Sequence, residues 1–193
     1  MNPASNLILV GPMGAGKTCI GKRLAGHFGL RLVDADREIE QQAGTSINTI
    51  FEHEGEAGFR ARERAALAAL LREDGLVVAT GGGAVLDADN RRLLRERGFV
   101  VYLHVSVPQQ LERLARDRSR PLLARGDRED VLRALSDLRA PLYREVADLY
   151  FDTDACNSQE GAARLAHELA SRWQRPDAAH AAAETRTIRT ETT

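Results

Sequence analysis

The stretch "GPMGAGKT", residues Gly11–Thr18, fits the pattern G-x-x-x-x-G-K-[ST] of a phosphate-binding loop. An apolar, strand-like run precedes it and a helix-like pattern follows it, which is the context that this pattern requires. Glycines allow successive backbone N–H groups to turn toward phosphate oxygens, and the start of a helix adds its positive end. We therefore predict that the chain binds a nucleoside triphosphate. The residues expected to contact it here are Gly14, Ala15, Gly16, Lys17, Thr18 and Cys19.

The lysine of this loop is informative because arginine supplies nearly all of the basic residues. Of 27 basic residues, only Lys17 and Lys22 are lysine. In loops of this kind the lysine reaches the β- and γ-phosphates, and the next hydroxyl, here Thr18, ligates Mg²⁺. A glycine turn with a surface lysine is the alternative interpretation, and the flanking strand and helix argue against it.

Short apolar runs alternate with longer helix-like segments along the chain. This alternation predicts an α/β fold of three layers, with a parallel sheet covered by helices on both faces. The strands are expected at Asn6–Val10, Arg31–Val33, Leu76–Thr80, Phe99–Val105 and Leu149–Phe151. The helices are expected at Lys17–Phe28, Asp36–Ala43, Ile47–Glu54, Glu56–Glu73, Ala88–Arg97, Pro108–Arg116, Arg128–Ala147 and Gln159–Trp173.

The composition favours a globular protein with small-molecule partners. The 193 residues are 43% hydrophobic and 28% charged, and the net charge of -1 gives no electrostatic reason to expect nucleic acid or an anionic membrane surface as partner. No run approaches the roughly 18 apolar residues of a membrane span, and the N-terminus does not resemble a signal peptide. The two cysteines suggest neither a disulfide framework nor a zinc site. We expect a reduced, cytoplasmic protein.

Two segments depart from the alternation of strands and helices. Residues 116–130, "RDRSRPLLARGDRED", are charged and interrupted by proline and glycine, so they are either a solvated loop or a mobile lid over a site. Residues 175–193 contain no aromatic residue and one branched aliphatic residue, Ile188. We expect a folded unit over residues 1–174 and a disordered tail after it, because the tail cannot bury enough apolar surface to order itself.

Two carboxylates follow the second expected strand. Asp34 and Asp36 come at its carboxyl end, where open α/β sheets bind their ligands. One could support Mg²⁺ through its water shell, and the other could orient or deprotonate a substrate hydroxyl. Alternatively, one or both cap the helix that follows.

Further candidates lie on two expected helices. Arg60, Arg62 and Arg64 share one helical pattern with Glu56 and Glu63, so a salt-bridged, solvated face is the simplest interpretation. A buried arginine among them could instead bind a carboxylate or phosphate through two hydrogen bonds. The segment "DLRAPLYREV" supplies a further candidate, Arg139, two residues before a proline.

The segment "VVATGGGAVL", residues 77–86, contains three consecutive glycines directly after an expected strand. They form either a loose connector or a backbone surface that a ligand approaches closely. Many phosphate-binding-loop proteins place an acidic residue here, and this chain has none, so Asp34 is the candidate to replace it.

Taken together, six segments resemble the shikimate kinase family. They are "GPMGAGKT", "LVDADREIE", "IFEHEGEAGFRARE", "VVATGGGAVL", "RPLL" and "RAPLYREVAD", in this order and with this spacing, and the resemblance extends over about residues 5–173. The family fold is a five-stranded parallel sheet of the nucleoside monophosphate kinase type, with a substrate-binding region and a lid. The implied reaction is ATP-dependent phosphorylation of the 3-hydroxyl of shikimate, a step toward chorismate and the aromatic amino acids.

The resemblance also implies roles for residues on the acceptor side. Asp36 would bind shikimate hydroxyls and orient or activate the 3-hydroxyl, and Arg60 and Arg139 would clamp the carboxylate. The backbone of Gly81 and Gly82 would contact the substrate. Glu63 would help to hold Arg60, and the pocket would be lined by Phe51 and Phe59.

On the nucleotide side, the resemblance implies that Thr18 and Asp34 support Mg²⁺. Arg120 would reach the transferring phosphate from the lid, and Arg113 would stack near adenine. Ala155–Asn157 falls in the adenine loop, where Cys156 stands in place of an arginine of some relatives, so no adenine contact is assigned there. By resemblance we expect a monomer.

Three functions are compatible with these motifs. The first is shikimate kinase, with Lys17, Asp36 and Arg120 as the catalytic residues. The second is a related small-molecule kinase of the gluconate or nucleoside monophosphate type. A nucleoside monophosphate acceptor carries a phosphate, and a protein carboxylate beside that phosphate would repel it. This repulsion favours the first function. The third is a nucleotide-binding regulator without phosphotransfer, and the presence of all expected catalytic residues argues against it.

Overall fold

A computed structural model describes residues 4–115 and 127–175. Its centre is a sheet of five parallel strands in the order β2-β3-β1-β4-β5. The strands are β1 (Asn6–Val10), β2 (Arg31–Asp34), β3 (Leu76–Ala79), β4 (Gly98–His104) and β5 (Leu149–Asp152). The helices are α1 (Lys17–Phe28), α2 (Ala35–Ala43), α3 (Ile47–Leu70), α4 (Ala88–Arg97), α5 (Val107–Arg113), α6 (Arg128–Val146) and α7 (Ser158–Arg172).

The central strand β1 is fully buried because both of its faces are covered by helices. Leu7 and Leu9 face the layer that contains α1 and α7, whereas Ile8 and Val10 face the layer that contains α3, α4 and α6. Alternate residues of a strand point to opposite faces, so an unbroken apolar run is what a doubly covered strand requires. The predicted α/β fold of three layers is confirmed.

The strand order places one crevice at the carboxyl edge of the sheet. After β1 the chain runs outward to β2, returns to β3 beside β1, and then crosses to β4 on the other side of β1. The carboxyl end of β1 therefore lies where the winding direction reverses, which is the usual ligand position in open α/β sheets. Residues 11–16 occupy this position.

The expected elements agree with the structure to within a few residues. The two helices expected on either side of residue 55 are both present within the span of α3, and Gly55 separates them with a non-helical conformation, φ 68° and ψ -174°. Only glycine adopts this backbone conformation easily, so the first helix ends and the chain changes direction at this residue. The second half of α3 brings Arg60 and Glu63 next to the glycines that follow β3. Ala84–Leu86 form an additional short 3-10 helix that the sequence did not indicate.

No helix within residues 4–115 and 127–175 combines the length and the apolar character that crossing a membrane requires. Residues 116–126 and 176–193 lie outside the described residues. The predictions that fall on them are most of the lid, including Arg120, and nearly all of the expected tail. Residues 127–130 are described, and they form the cap and first turn of α6 rather than an irregular loop.

Candidate active site

The loop after β1 has the backbone of a phosphate cradle. Gly11, Gly14 and Gly16 have φ values of 143°, 78° and 84°, a region that favours glycine. The Lys17 ammonium group donates to the carbonyl oxygens of Gly11 (2.7 Å) and Pro12 (2.9 Å), so it folds back over the loop. Among residues 4–115 and 127–175, no side chain caps the start of α1. The loop therefore combines a lysine charge with helix N–H groups that a side chain does not occupy, which suits an anionic ligand.

Asp34 performs two structural tasks with its two oxygens. Its Oδ1 accepts from the backbone N–H groups of Asp36 (3.2 Å) and Arg37 (3.4 Å) and caps α2, while its Oδ2 accepts from the Thr18 hydroxyl at 2.7 Å. The capping alternative is thus correct for Asp34, and it coexists with the contact to Thr18. A hydroxyl and a carboxylate oxygen side by side at the cradle are hard donors of the kind that Mg²⁺ prefers.

The glycine loop, residues 81–83, lies between β3 and the short 3-10 helix. None of its glycines has a positive φ, so backbone conformation is not the reason for glycine here. Space is the reason. A Cβ at Gly81 would lie 2.7 Å from Asp36 Oδ1 and 2.8 Å from Glu63 Oε1, and a Cβ at Gly83 would lie 2.4 Å from Arg60 Nη1.

Gly82 differs from its two neighbours in the loop. A Cβ there would lie 3.6 Å from Arg139 Nη1 and 3.7 Å from both the Gly11 carbonyl oxygen and the Tyr143 hydroxyl, which are ordinary contact distances. Gly82 is therefore the point where the glycine loop, the cradle and α6 meet. The loop is a wall without side chains against which the charged groups of the acceptor side are packed.

Arg60 and Glu63 form a buried ion pair on the second half of α3. The Arg60 Nη1 group donates to Glu63 Oε2 at 2.7 Å, and its Nη2 group donates to Glu56 at 3.2 Å. Glu63 is 1% exposed, and this burial raises its pKa above the ordinary value, although the positive charge of Arg60 opposes the rise. For Arg60, burial by itself would lower the pKa, and the two carboxylates raise it above its ordinary value. The guanidinium is therefore charged at every physiological pH.

Arg139 enters the same region from α6. It is 6% exposed, and its Nε has no hydrogen-bond partner among the described residues. Glu63 Oε1, on the other side of the glycine loop, has no partner among them either. A buried donor and a buried acceptor without partners are costly, and both belong to side chains that lie against adjacent glycines, so this region is the candidate ligand site.

The two phenylalanines expected in the pocket stack on each other. The rings of Phe51 and Phe59 are 4.8 Å apart, and the Arg60 guanidinium lies over the Phe59 ring at 5.2 Å. The Phe59 ring and the Glu63 carboxylate therefore both fix the position of the Arg60 guanidinium. The apolar faces of α2 and α3 enclose the rings in a small cluster of their own.

Arg113 lies between the loop after β1 and the loop after β5. Its guanidinium donates to the carbonyl oxygen of Gly14 (3.1 Å), to the Thr153 hydroxyl (3.1 Å) and to the carbonyl oxygens of Thr153 (2.5 Å) and Cys156 (3.5 Å). It therefore ties the cradle to the loop between β5 and α7, which contains Ala155–Asn157. Cys19 is exposed on the first turn of α1.

The structure brings most of the expected residues to one edge of the sheet. The cradle, the Thr18–Asp34 pair and the acceptor group formed by Asp36, Arg60, Arg139 and the glycine loop all lie there. One side chain that sequence reasoning missed is Tyr143, whose hydroxyl donates to the Gly82 carbonyl oxygen. Its spacing of four residues from Arg139 on a helix was the available signal, because such residues share a face.

Comparisons with known proteins agree on one family. A family model described as shikimate kinase matches residues 13–170. A curated shikimate kinase of Stenotrophomonas maltophilia (strain R551-3) is 63% identical over 177 residues, which cover 92% of this chain and 98% of the relative. One from Xanthomonas campestris pv. campestris (strain 8004) is 60% identical over 174 residues, covering 90% and 97%.

Solved structures give the same result. A shikimate kinase from Acinetobacter baumannii in complex with shikimate has a TM-score of 0.84 and 46% identity, and the match covers 88% of this chain and 95% of that one. A shikimate kinase from Bacteroides thetaiotaomicron has a TM-score of 0.78 and 31% identity, covering 85% and 97%.

Proposed function

This chain belongs to the shikimate kinase family, and from that premise we propose how its own residues carry phosphate from ATP to the 3-hydroxyl of shikimate. The observation that carries the assignment is the pair of unsatisfied buried atoms beside the glycine loop, Arg139 Nε and Glu63 Oε1. Shikimate offers one carboxylate and three hydroxyls. A carboxylate accepts from the free guanidinium donor and a hydroxyl donates to the free carboxylate oxygen, so each orphan atom gains a partner.

The carboxylate side of the acceptor is assigned to the two arginines. Arg60 is held by Glu63, Glu56 and the Phe59 ring, and Arg139 is held in the buried face of α6. Because both guanidinium groups are fixed before the ligand arrives, little side-chain freedom is lost on binding. The backbone N–H groups of the glycine loop, residues 81–83, complete the contact.

Asp36 is assigned as the group that orients the 3-hydroxyl and accepts its proton. It lies against Gly81, on the side of the glycine loop that faces α2. As the hydroxyl oxygen forms its bond to the γ-phosphorus, the bond from that phosphorus to the β–γ bridging oxygen breaks, and the hydroxyl proton passes to Asp36. ADP leaves with the negative charge that develops on the bridging oxygen.

Lys17 is assigned to neutralise that developing charge. The remaining phosphate contacts are assigned to residues Gly14–Cys19. Arg113 is assigned to a position beside the adenine, and Arg120 to the transferring phosphate. Arg120 lies outside the described residues. The catalytic effect comes from positioning and from charge neutralisation in a site that excludes water.

Thr18 and Asp34 are the residues that would hold Mg²⁺. Their two oxygens lie 2.7 Å apart next to the cradle, and the hydroxyl and carboxylate are both hard oxygen donors, so they fit this cation. When bound, Mg²⁺ would screen the charge of the β- and γ-phosphates. We also propose that the chain acts in the cytoplasm as a monomer, with shikimate and ATP as its partners and without nucleic acid or membrane.

A coupled ADP-release assay tests the assignment. Purified protein is given ATP and Mg²⁺ with shikimate, gluconate or a nucleoside monophosphate in separate reactions. We expect turnover with shikimate and only the background rate of ATP hydrolysis with the other two. Turnover with gluconate or a nucleotide, and none with shikimate, would end the proposal.

A further inference from the structure

The carbonyl groups of the glycine loop are all hydrogen-bonded within the protein. Those of Gly81 and Gly83 accept from the backbone N–H groups three residues further along, those of Ala84 and Leu86, at 3.2 and 3.0 Å, and that of Gly82 accepts from the Tyr143 hydroxyl at 2.5 Å. By contrast, no hydrogen bond between residues of the described ranges uses the N–H of Gly82 or Gly83 as its donor. The loop thus satisfies its acceptors internally and leaves these donors for a ligand.

Three consecutive glycines have little conformational preference of their own. Without Cβ atoms, a peptide unit between two of them can rotate at low cost, and its N–H would then point elsewhere. Some contact from outside the loop must therefore select one orientation. For the peptide unit between Gly82 and Gly83, this contact comes from Tyr143, whose hydroxyl donates to the Gly82 carbonyl oxygen.

Tyr143 is itself firmly placed. It is 1% exposed, and its ring stacks on Tyr102 of β4 with a centroid separation of 5.0 Å and an angle of 29° between the planes. It lies one helical turn after Arg139, on the same face of α6. Burial raises the pKa of the Tyr143 hydroxyl above its ordinary value, and the charge of Arg139 opposes that rise. The hydroxyl therefore stays protonated and remains a donor to Gly82.

We propose that Tyr143 is a positioning residue for the acceptor, whose hydroxyl holds the Gly82 carbonyl and so orients the peptide unit between Gly82 and Gly83, aiming the N–H of Gly83 at the carboxylate side of the substrate. The proposal deepens the proposed function and rests on it, because the ligand concerned is the shikimate acceptor.

The test is Tyr143→Phe, which removes only the hydroxyl. We expect KM for shikimate to rise about tenfold while KM for ATP stays within about twofold, since one buried hydrogen bond to the acceptor wall is lost and the cradle is untouched. Tyr102→Phe is the matched control, because it removes a hydroxyl from the neighbouring ring of the same stack. It should leave both KM values unchanged.

A second measurement separates positioning from simple stability. In Tyr143→Phe, amide hydrogen exchange should become faster at residues 82–85 and remain unchanged in α1, whereas Tyr102→Phe should change neither. An unchanged KM for shikimate, or an equal rise of both KM values with a uniform loss of exchange protection, would refute the proposal.

A double-mutant cycle tests the route through the loop. If Tyr143 acts through Gly82, the loss caused by Tyr143→Phe should be smaller in the Gly82→Ala background than in the wild type. Fully additive losses would show that the hydroxyl acts by another route. If the wild-type chain does not phosphorylate shikimate, the proposed function fails first, and that result is seen before any variant is made.

Discussion

Residues 11–16 and residues 81–83 are both glycine-rich loops that follow a buried strand and reach the same edge of the sheet, yet they use glycine differently. In the cradle, three glycines have positive φ, and a Cβ at Gly11 would lie 2.3 Å from the Leu103 carbonyl oxygen. In the glycine loop no φ is positive, and the limits come from the side chains of Asp36, Glu63 and Arg60. The first loop needs glycine for its backbone conformation, and the second needs glycine because neighbouring side chains leave no room for a Cβ atom.

This difference shows that the proposed nucleotide site is formed by one short segment of the chain, whereas the proposed shikimate site is formed by segments that are distant in the sequence. The cradle is one contiguous segment whose lysine binds carbonyls five and six residues away. The acceptor side gathers α2, α3, the glycine loop and α6. Changes in the cradle should therefore affect ATP and the chemical step, and changes on the acceptor side should affect shikimate alone.

The largest effect is expected from Lys17→Met. Loss of the charge that neutralises the transferring phosphate should lower kcat by about 10²- to 10³-fold, the usual cost of removing one such group. Steady-state ADP release measures it. The control is Lys22→Met, which removes the other lysine, an exposed residue of the same helix, and should leave kcat unchanged. Equal losses in both variants would mean that helix stability, not phosphate contact, explains the result.

The next effect tests the conformational role of the cradle glycines. Gly11→Ala places a Cβ against the backbone of β4 at a φ of 143°, so the free energy of unfolding should fall by about 2 to 4 kcal/mol. Urea denaturation of the protein without ligands measures the change. A variant as stable as the wild type would break the comparison, because the cradle would then tolerate a side chain.

On the acceptor side, Arg60→Ala should raise KM for shikimate by about 10- to 100-fold and leave KM for ATP nearly unchanged, because one arm of the carboxylate clamp is lost. Arg62→Ala is the control, since Arg62 pairs with Glu54 at the surface of the same helix and such exposed pairs contribute little. If both KM values rise equally in Arg60→Ala, Arg60 has no special role toward the acceptor.

A smaller effect is expected from Gly82→Ala, which sharpens the contrast with Gly11. The added methyl group meets only ordinary contact distances, so the unfolding free energy should change by less than about 1 kcal/mol. It nevertheless enters the space that the substrate approaches, and KM for shikimate should rise about tenfold. Isothermal titration with shikimate and with ATP separates the two ligands. Unchanged shikimate affinity would mean that the glycines serve only the packing of the loop.

The smallest effect concerns the pH dependence of stability. Because burial raises the pKa of Glu63 above its ordinary 4.5, the folded protein binds this proton more tightly than the unfolded chain does. The wild type therefore loses stability as the pH rises from 4.5 through the folded pKa, and Glu63→Gln does not. The difference in unfolding free energy, variant minus wild type, should increase over that interval by about 1.4 kcal/mol per unit of pKa shift.

Denaturation at a series of pH values measures this slope. The loss of the ion pair with Arg60 adds an offset, and the slope is read independently of it. Glu54→Gln is the control, because the hydrogen bond from Arg62 lowers the pKa of Glu54, a shift opposite in direction to that of Glu63. A flat difference for Glu63→Gln would show that Glu63 is charged in both states.

The sequence predicted the strands and helices, because these elements depend on the local pattern of residues. The strands β1–β5 follow apolar runs, and the starts of α2 to α7 follow capping residues, so both were predictable to within a residue or two. Asp36, Arg60 and Arg139 became candidates because their motifs resemble a family, and their roles stay predictions. Residue types alone favoured a salt-bridged helix face for Arg60.

By itself, the sequence determined the cradle and the order of strands and helices, because a positive-φ glycine, an apolar run and a helix cap act within a few residues of the chain. Only the tertiary structure decided that Asp34 both caps α2 and binds Thr18, and that Arg113 joins the cradle to the loop after β5. It also decided that Tyr143 reaches Gly82, 61 residues away in the chain. Such contacts depend on how distant segments pack, and the pattern of one segment carries no record of the side chain that will lie against it.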